Sequence, residues 1–73
     1  MKNDPIKLLD VVALLEARPA DGLARGQVGT VVEVFSSDAF EVEFLNPQGH
    51  TICLITAQLS ELLVLRHEPV ATA

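Results

Sequence analysis

Few residues in this 73-residue chain could do chemistry. The single cysteine, Cys53, lies close to His50, and the only other histidine is His67. A metal site needs three or four converging ligands, and the His50–Cys53 pair has no third partner nearby. Nucleophilic catalysis by Cys53 would require a base and an activating environment. Set between Ile52 and Leu54, it reads as a small packing residue instead. Glu33, Glu41 and Glu43 interrupt two apolar runs. Paired carboxylates do acid–base work only where a cleft pushes their pKa values apart; on an open sheet they form a solvated or docking face. Gly26 and Gly29 precede a valine-rich run. A phosphate-cradling glycine loop leads into a helix N-terminus, whereas a strand pattern follows here, with no Gly-Lys-Ser/Thr. The expectation is a non-enzymatic protein with no catalytic residue, no cofactor and no metal.

The elements that position these residues are organised around Gly26–Phe35. Val28, Thr30, Val31, Val32, Val34 and Phe35 suit a pleated, half-buried surface. With Glu33 in water, period-two alternation predicts Val32 and Val34 on the buried face, and Val31 and Phe35 on the face of Glu33. Glycine at the strand entry marks a corner or a close backbone approach. Ala39–Phe44 alternates cleanly: Phe40, Val42 and Phe44 on one face, Glu41 and Glu43 on the other. Between them, Ser36-Ser37-Asp38 is a turn.

Asn46-Pro47-Gln48-Gly49 predicts a three-residue hairpin loop with a glycine bulge. If Asn46 lies opposite His50, then Phe44 faces Ile52 and Val42 faces Leu54. Ile52 and Leu54 go inward, and Cys53 and Ile55 join the face of the glutamates. A one-residue slip would reverse that assignment. Ala57–Ser60 reads as a 3₁₀ turn, and Leu62–Leu65 as the last strand. Upstream, one helical turn near Pro5–Leu8 precedes a strand from about Asp10 to Leu15, with a helix over Pro5–Ala17 as the competing reading. Ala17–Arg25 is a loop broken by Pro19 and Gly22, with Leu23 plugging the edge of the core.

Seventy-three residues make one domain, expected over residues 6–65, with flexible tails at 1–5 and 66–73. A chain this short buries only about 60% of its unfolded surface. Yet 49% of its residues are hydrophobic and its mean hydropathy is +0.37, more apolar surface than one small core absorbs. Ten acids against five bases give a net charge of −5. The bases Lys2, Lys7, Arg18, Arg25 and Arg66 are scattered. Each phosphate contact needs its own cation, so a nucleic-acid partner is disfavoured. One cysteine permits no internal disulfide, in keeping with a reducing cytoplasm. No run approaches the roughly 20 apolar residues of a membrane span.

These elements, five short strands with a long first loop and a 3₁₀ turn before the last strand, predict an all-β, SH3-like barrel. The resemblance goes beyond the fold. Asp10–Leu15, Gly22-Leu23, Arg25-Gly26-Gln27-Val28-Gly29-Thr30-Val31-Val32-Glu33-Val34, Glu41-Val42-Glu43-Phe44, Gly49 and Thr51 resemble the bacterial domain-of-unknown-function family 4926. It spans about residues 6–65 and implies a small cytoplasmic protein with no assigned activity and no functional residues to carry over. Cys53 and Gln48 depart from the family pattern, which favours a small apolar residue and an acid at those positions. At fold level alone, Gly26–Val34 resembles the KOW element of ribosomal and elongation proteins. The chain is similar, equally distantly, to SH3-like accessory subunits of ferredoxin–thioredoxin reductase and nitrile hydratase.

A fourth strand at the sheet edge with outward apolar residues invites pairing with another chain. Glu33, Glu41, Glu43, Cys53 and Ile55 are the expected interaction face. The function read from the sequence is a protein-interaction module acting through a protein partner or self-association. Three alternatives stand beside it: an acidic antitoxin or immunity-type protein that neutralises a basic partner, an accessory subunit of an enzyme complex, and a KOW-like RNA- or ribosome-associated module.

Overall fold

A computed structural model describes residues 5–65. The tails expected at 1–5 and 66–73 therefore lie, apart from the exposed Pro5, outside the described residues, as does His67. Five strands form one antiparallel sheet: β1 (Val11–Leu14), β2 (Val28–Val34), β3 (Ala39–Leu45), β4 (Thr51–Gln58) and β5 (Leu62–Val64). Their order, β4-β3-β2-β1-β5, is a meander whose last strand returns to the free side of the first, an SH3-like arrangement. The described residues contain no α-helix, only 3₁₀ turns at Pro19–Asp21 and Leu59–Glu61. No helix among them is long and apolar enough to cross a membrane.

Large–small packing sets the core. Phe40, Val42 and Phe44 are fully buried along one face of β3. Across the β3–β4 ladder Phe40 faces Ala57, Val42 faces Ile55 and Phe44 faces Cys53. Each ring meets a small residue, and the medium pair sits between. On the other side Val31 faces Val42, and Gly29 lies beneath the Phe44 ring. A Cβ on Gly29 would stand 2.8 Å from Phe44 Cε1, from Val42 Cγ1 and from the Glu43 carbonyl oxygen. Glycine is required there by close approach, as the strand pattern foretold. Val12, Leu14, Leu23, Leu62 and Ile6 close the rest of the core.

This packing corrects the expected facing in two strands. In β2 the register shifts between Val31 and Glu33, leaving Val32 as an extra residue. Glu33 does face water, but Val31 is fully buried and Val32 only half-buried; Val34 pairs with Phe40 and keeps the expected face, although at the strand end it is exposed. A bulge breaks the period-two rule, so Glu33 was a poor marker for the residues before it. In β4 the hairpin turn forms as expected. Gly49 N–H donates to the Asn46 carbonyl, Asn46 N–H to the His50 carbonyl, and Asn46 Oδ1 accepts from Gln48 and His50 N–H. Gly49 takes a φ of 86°. One step further on, Leu45 pairs with Thr51 but Phe44 pairs with Cys53, so Ile52 is extra. The slip sends Cys53, Ile55 and Ala57 inward and Leu54 outward, the reverse of the expectation. It also keeps Thr56 and Gln58 in water, whereas the unslipped register would bury their polar groups without partners.

At the N-terminal end the expected helical turn is a β-turn. Asp10 N–H donates to the Lys7 carbonyl at 3.0 Å, and Asp10 Oδ2 accepts from Lys7 N–H at 2.9 Å. Leu9 has a φ of 72°, which ends any helical path, and its N–H donates to the Val31 carbonyl. The competing helix over Pro5–Ala17 is excluded by β1. In the long loop, Arg18 and Leu23 exchange backbone hydrogen bonds around Pro19–Asp21, holding Leu23 in the core as expected. The Arg18 guanidinium pairs with Asp21 at 3.1 Å and Glu61 at 3.3 Å, tying this loop to the turn before β5. The residues expected in that turn begin two positions early: Ala57 and Gln58 complete β4.

Two outcomes check this packing. Gly29→Ala should destabilise the domain by about 2–3 kcal/mol, read from its urea unfolding midpoint, because the added carbon meets backbone and two buried side chains. Val31→Asp should abolish cooperative unfolding while Val32→Asp still folds; the opposite ranking would restore the unbulged facing of β2.

Candidate interaction face

The inward packing of Phe40, Val42 and Phe44 forces Glu41 and Glu43 onto the outer face of β3. Glu33 of β2 lies directly opposite Glu41, and Thr30 opposite Glu43. On the β4 side, Thr56 lies opposite Glu41 and Leu54 opposite Glu43. Both β3 carboxylates are held by hydroxyls of β4: Thr56 Oγ1–H donates to Glu41 Oε1 at 3.1 Å, and Thr51 Oγ1–H to Glu43 Oε2 at 2.7 Å. None of the three glutamates is in an ion pair among the described residues. Among the described residues no strand carries a lysine or arginine; Lys7, Arg18 and Arg25 sit in turns and loops.

The three glutamates therefore come together as expected, but Cys53 and Ile55 do not join them. Ile55 is only 5% exposed and belongs to the core. Cys53 is half-buried, packs against that core and directs its Sγ toward the Asp21 carbonyl 3.9 Å away. Their places beside the glutamates go to Leu54, 53% exposed, and Ile52, 46% exposed. The sequence held a signal for this. Thr56, Ala57 and Gln58 alternate polar, small, polar, which, read back from the end of the strand, puts Ala57 and Ile55 inward. That is the opposite of the phase read forward from the hairpin, so local pattern alone leaves the two in conflict.

The apolar character extends across the sheet. Val11, Val28 and Leu63 are exposed on β1, β2 and β5, with Leu63 and Val28 flanking Ala13 from either side. Continuing the Thr30–Glu43 register brings Val28 level with the exposed Leu45. The outer face is thus an apolar surface crossed by a short acidic band.

Other places offer less. His50 is exposed in the hairpin turn while Cys53 points inward, so that pair is not brought together. Among the described residues no group of three or more His, Cys, Asp or Glu could hold a metal ion. Gly26 forms a turn with a φ of 84°, and β2 follows it rather than a helix N-terminus. A shallow open hollow is lined by Asp38, Ala39, Gln58, Leu59 and Ser60, with one carboxylate and no histidine, cysteine or lysine.

A family model described as "Domain of unknown function (DUF4926)" matches residues 8–64, a span that takes in every strand. The chain belongs to this family. No curated protein and no solved structure matches it. The DUF4926 match covers both bulged strands and the whole outer face, so the acidic band and its apolar border lie within the family's domain.

Charge reversal tests the facing. Glu41→Lys combined with Glu43→Lys should leave a cooperatively folded DUF4926 domain within about 1 kcal/mol of the wild type, measured by circular dichroism through a urea titration. An unfolded double variant would place these side chains on the buried side.

Proposed function

We propose that this DUF4926 protein is a non-enzymatic, cytoplasmic module that binds another protein through the outer face of its sheet on the β3–β4 side. The observation that carries this reading is the exposure of Ile52 and Leu54 beside Glu41 and Glu43 at a sheet edge. Single apolar residues on a surface are ordinary, but a contiguous exposed apolar patch rimmed by polar groups marks an interaction site. A chain this small gains from covering such a surface, since its own core is limited. An edge strand adds unpaired backbone donors and acceptors to the same place.

Charge supports a protein partner over nucleic acid. The described cations lie off the sheet, and Arg18 is already engaged by Asp21 and Glu61. Backbone-tracking grooves need a series of free cations. Neutralising a basic partner and serving as an accessory subunit are both uses of such a module, differing only in what docks.

The test is paired capture from native cell extract at low and moderate salt, using tagged wild type and the double variant Ile52→Ser with Leu54→Ser. Both side chains stand in solvent, so the variant should keep the wild-type unfolding midpoint. Wild type should retain a stoichiometric protein partner that the variant loses. Equal retention by both would move the docking surface away from β4.

A further inference from the structure

Among the described residues, β4 is an unguarded edge. It is one of the two outermost strands of the sheet and, at eight residues, the longest strand. Its sequence, Thr-Ile-Cys-Leu-Ile-Thr-Ala-Gln, contains no charge and no proline. Natural sheets normally protect an edge with lysine, proline, a central bulge or very short length. The β4 bulge lies at Ile52, near the hairpin, and Cys53–Gln58 pairs with β3 without interruption. Among the described residues, no backbone group outside β3 bonds to the main chain of Thr51–Ala57. The opposite edge, β5, has only three residues.

Building on the interaction module argued above, we propose that β4 receives an extended segment of a partner protein as a sixth strand. In that segment basic residues alternate with small or apolar ones. Charge complementarity selects this occupant. Glu33 and Glu41 are directly opposed across β2 and β3, a like-charge arrangement that weakens a sheet. Glu43 lies on the same face, and among the described residues no strand supplies a cation. A strand added to β4 runs about 9.6 Å from β3, two strand spacings away. A lysine or arginine on its outer side stands beside Leu54 or Thr56. Its methylenes cover Leu54 while its charged head reaches the carboxylates of Glu41 and Glu43. On the inner side the new strand meets Cys53, Ile55 and Ala57, of which the last two are already covered, so its inward residues are small or apolar. A second copy fits less well. Its β4 is uncharged and would bring no cation to the acidic band, and each copy carries a net charge of −5.

The experiment titrates ¹⁵N-labelled full-length protein with a capped peptide of alternating lysine and valine, and with a matched peptide of glutamate and valine. Amide shifts and hydrogen exchange are read along β4. The lysine peptide should shift and protect β4 amides, with affinity that falls as salt rises; the glutamate peptide should leave them unchanged. Glu41→Gln with Glu43→Gln keeps oxygen acceptors for Thr56 and Thr51, and it should weaken lysine-peptide binding about tenfold or more without altering the fold. Four results overturn the proposal: no β4 response to the lysine peptide at millimolar concentration, equal binding of the two peptides, undiminished binding by the glutamine variant, or concentration-dependent dimerisation that protects β4 in the protein alone. Loss of the captured partner in Ile52→Ser with Leu54→Ser, together with failure of the lysine peptide, removes this inference and leaves the interaction module standing.

Discussion

The ring of Phe44 lies over Gly29, where a side chain on residue 29 would collide with it. The rest of the structure follows from this contact. It places Gly29 on the core face of β2 and brings Val31 against Val42. It also requires a small partner for Phe44 on its other side, which Cys53 supplies while Ala57 does the same for Phe40. Protein interiors are close-packed, so volume rather than hydrophobicity alone chooses between registers. Here large against small wins, and the chain accommodates the choice with one extra residue in each neighbouring strand.

Those two bulges decide what water sees. The one in β2 separates Val31, which is buried, from Glu33, which is not. The one in β4 buries Ile55 and exposes Leu54. A core built from two phenylalanines and a few branched aliphatic residues is full, and the remaining apolar side chains stand outside it. Val11, Val28, Leu45, Ile52, Leu54 and Leu63 stand on strands of the sheet, while Leu8, Leu9, Leu15, Phe35, Leu59 and Leu65 lie in turns and loops.

Local rules of sheet design are broken on the β3–β4 side of the sheet. Two glutamates oppose each other, Ile52 and Leu54 face solvent, and among the described residues the longest strand forms an undefended edge. Several turns obey local rules: Asn46 and Gly49 form the hairpin their types demand, Gly22 and Gly26 take left-handed positions, and Arg18 links two loops through Asp21 and Glu61, whereas Leu9 takes a φ of 72° and stands exposed at the N-terminal turn. Folded proteins concentrate such violations at functional sites, which is the ground for the docking face proposed on the β3–β4 side.

The strand content, the hairpin turn, the buried Leu23 and the outward glutamates could all be read from the sequence, because each rests on local physics. Alternation places Phe40, Val42 and Phe44 opposite Glu41 and Glu43 whatever surrounds them. Pro47 and Gly49 suit one kind of loop. The resemblance carried by Arg25–Val34 was likewise legible, and the family match bears it out. What the sequence could not decide was the phase of β2 and β4. Period-two reasoning carries a facing along a strand only until a residue is inserted, and nothing in Val31-Val32-Glu33 or Thr51-Ile52-Cys53 announces an insertion. Only the fit of the Phe44 and Phe40 rings against Gly29, Cys53 and Ala57 selects it, and that fit joins residues distant in sequence. Composition alone determined that the surface would be acidic and partly apolar. Tertiary packing decided that Ile52 and Leu54, rather than Cys53 and Ile55, would border the acid.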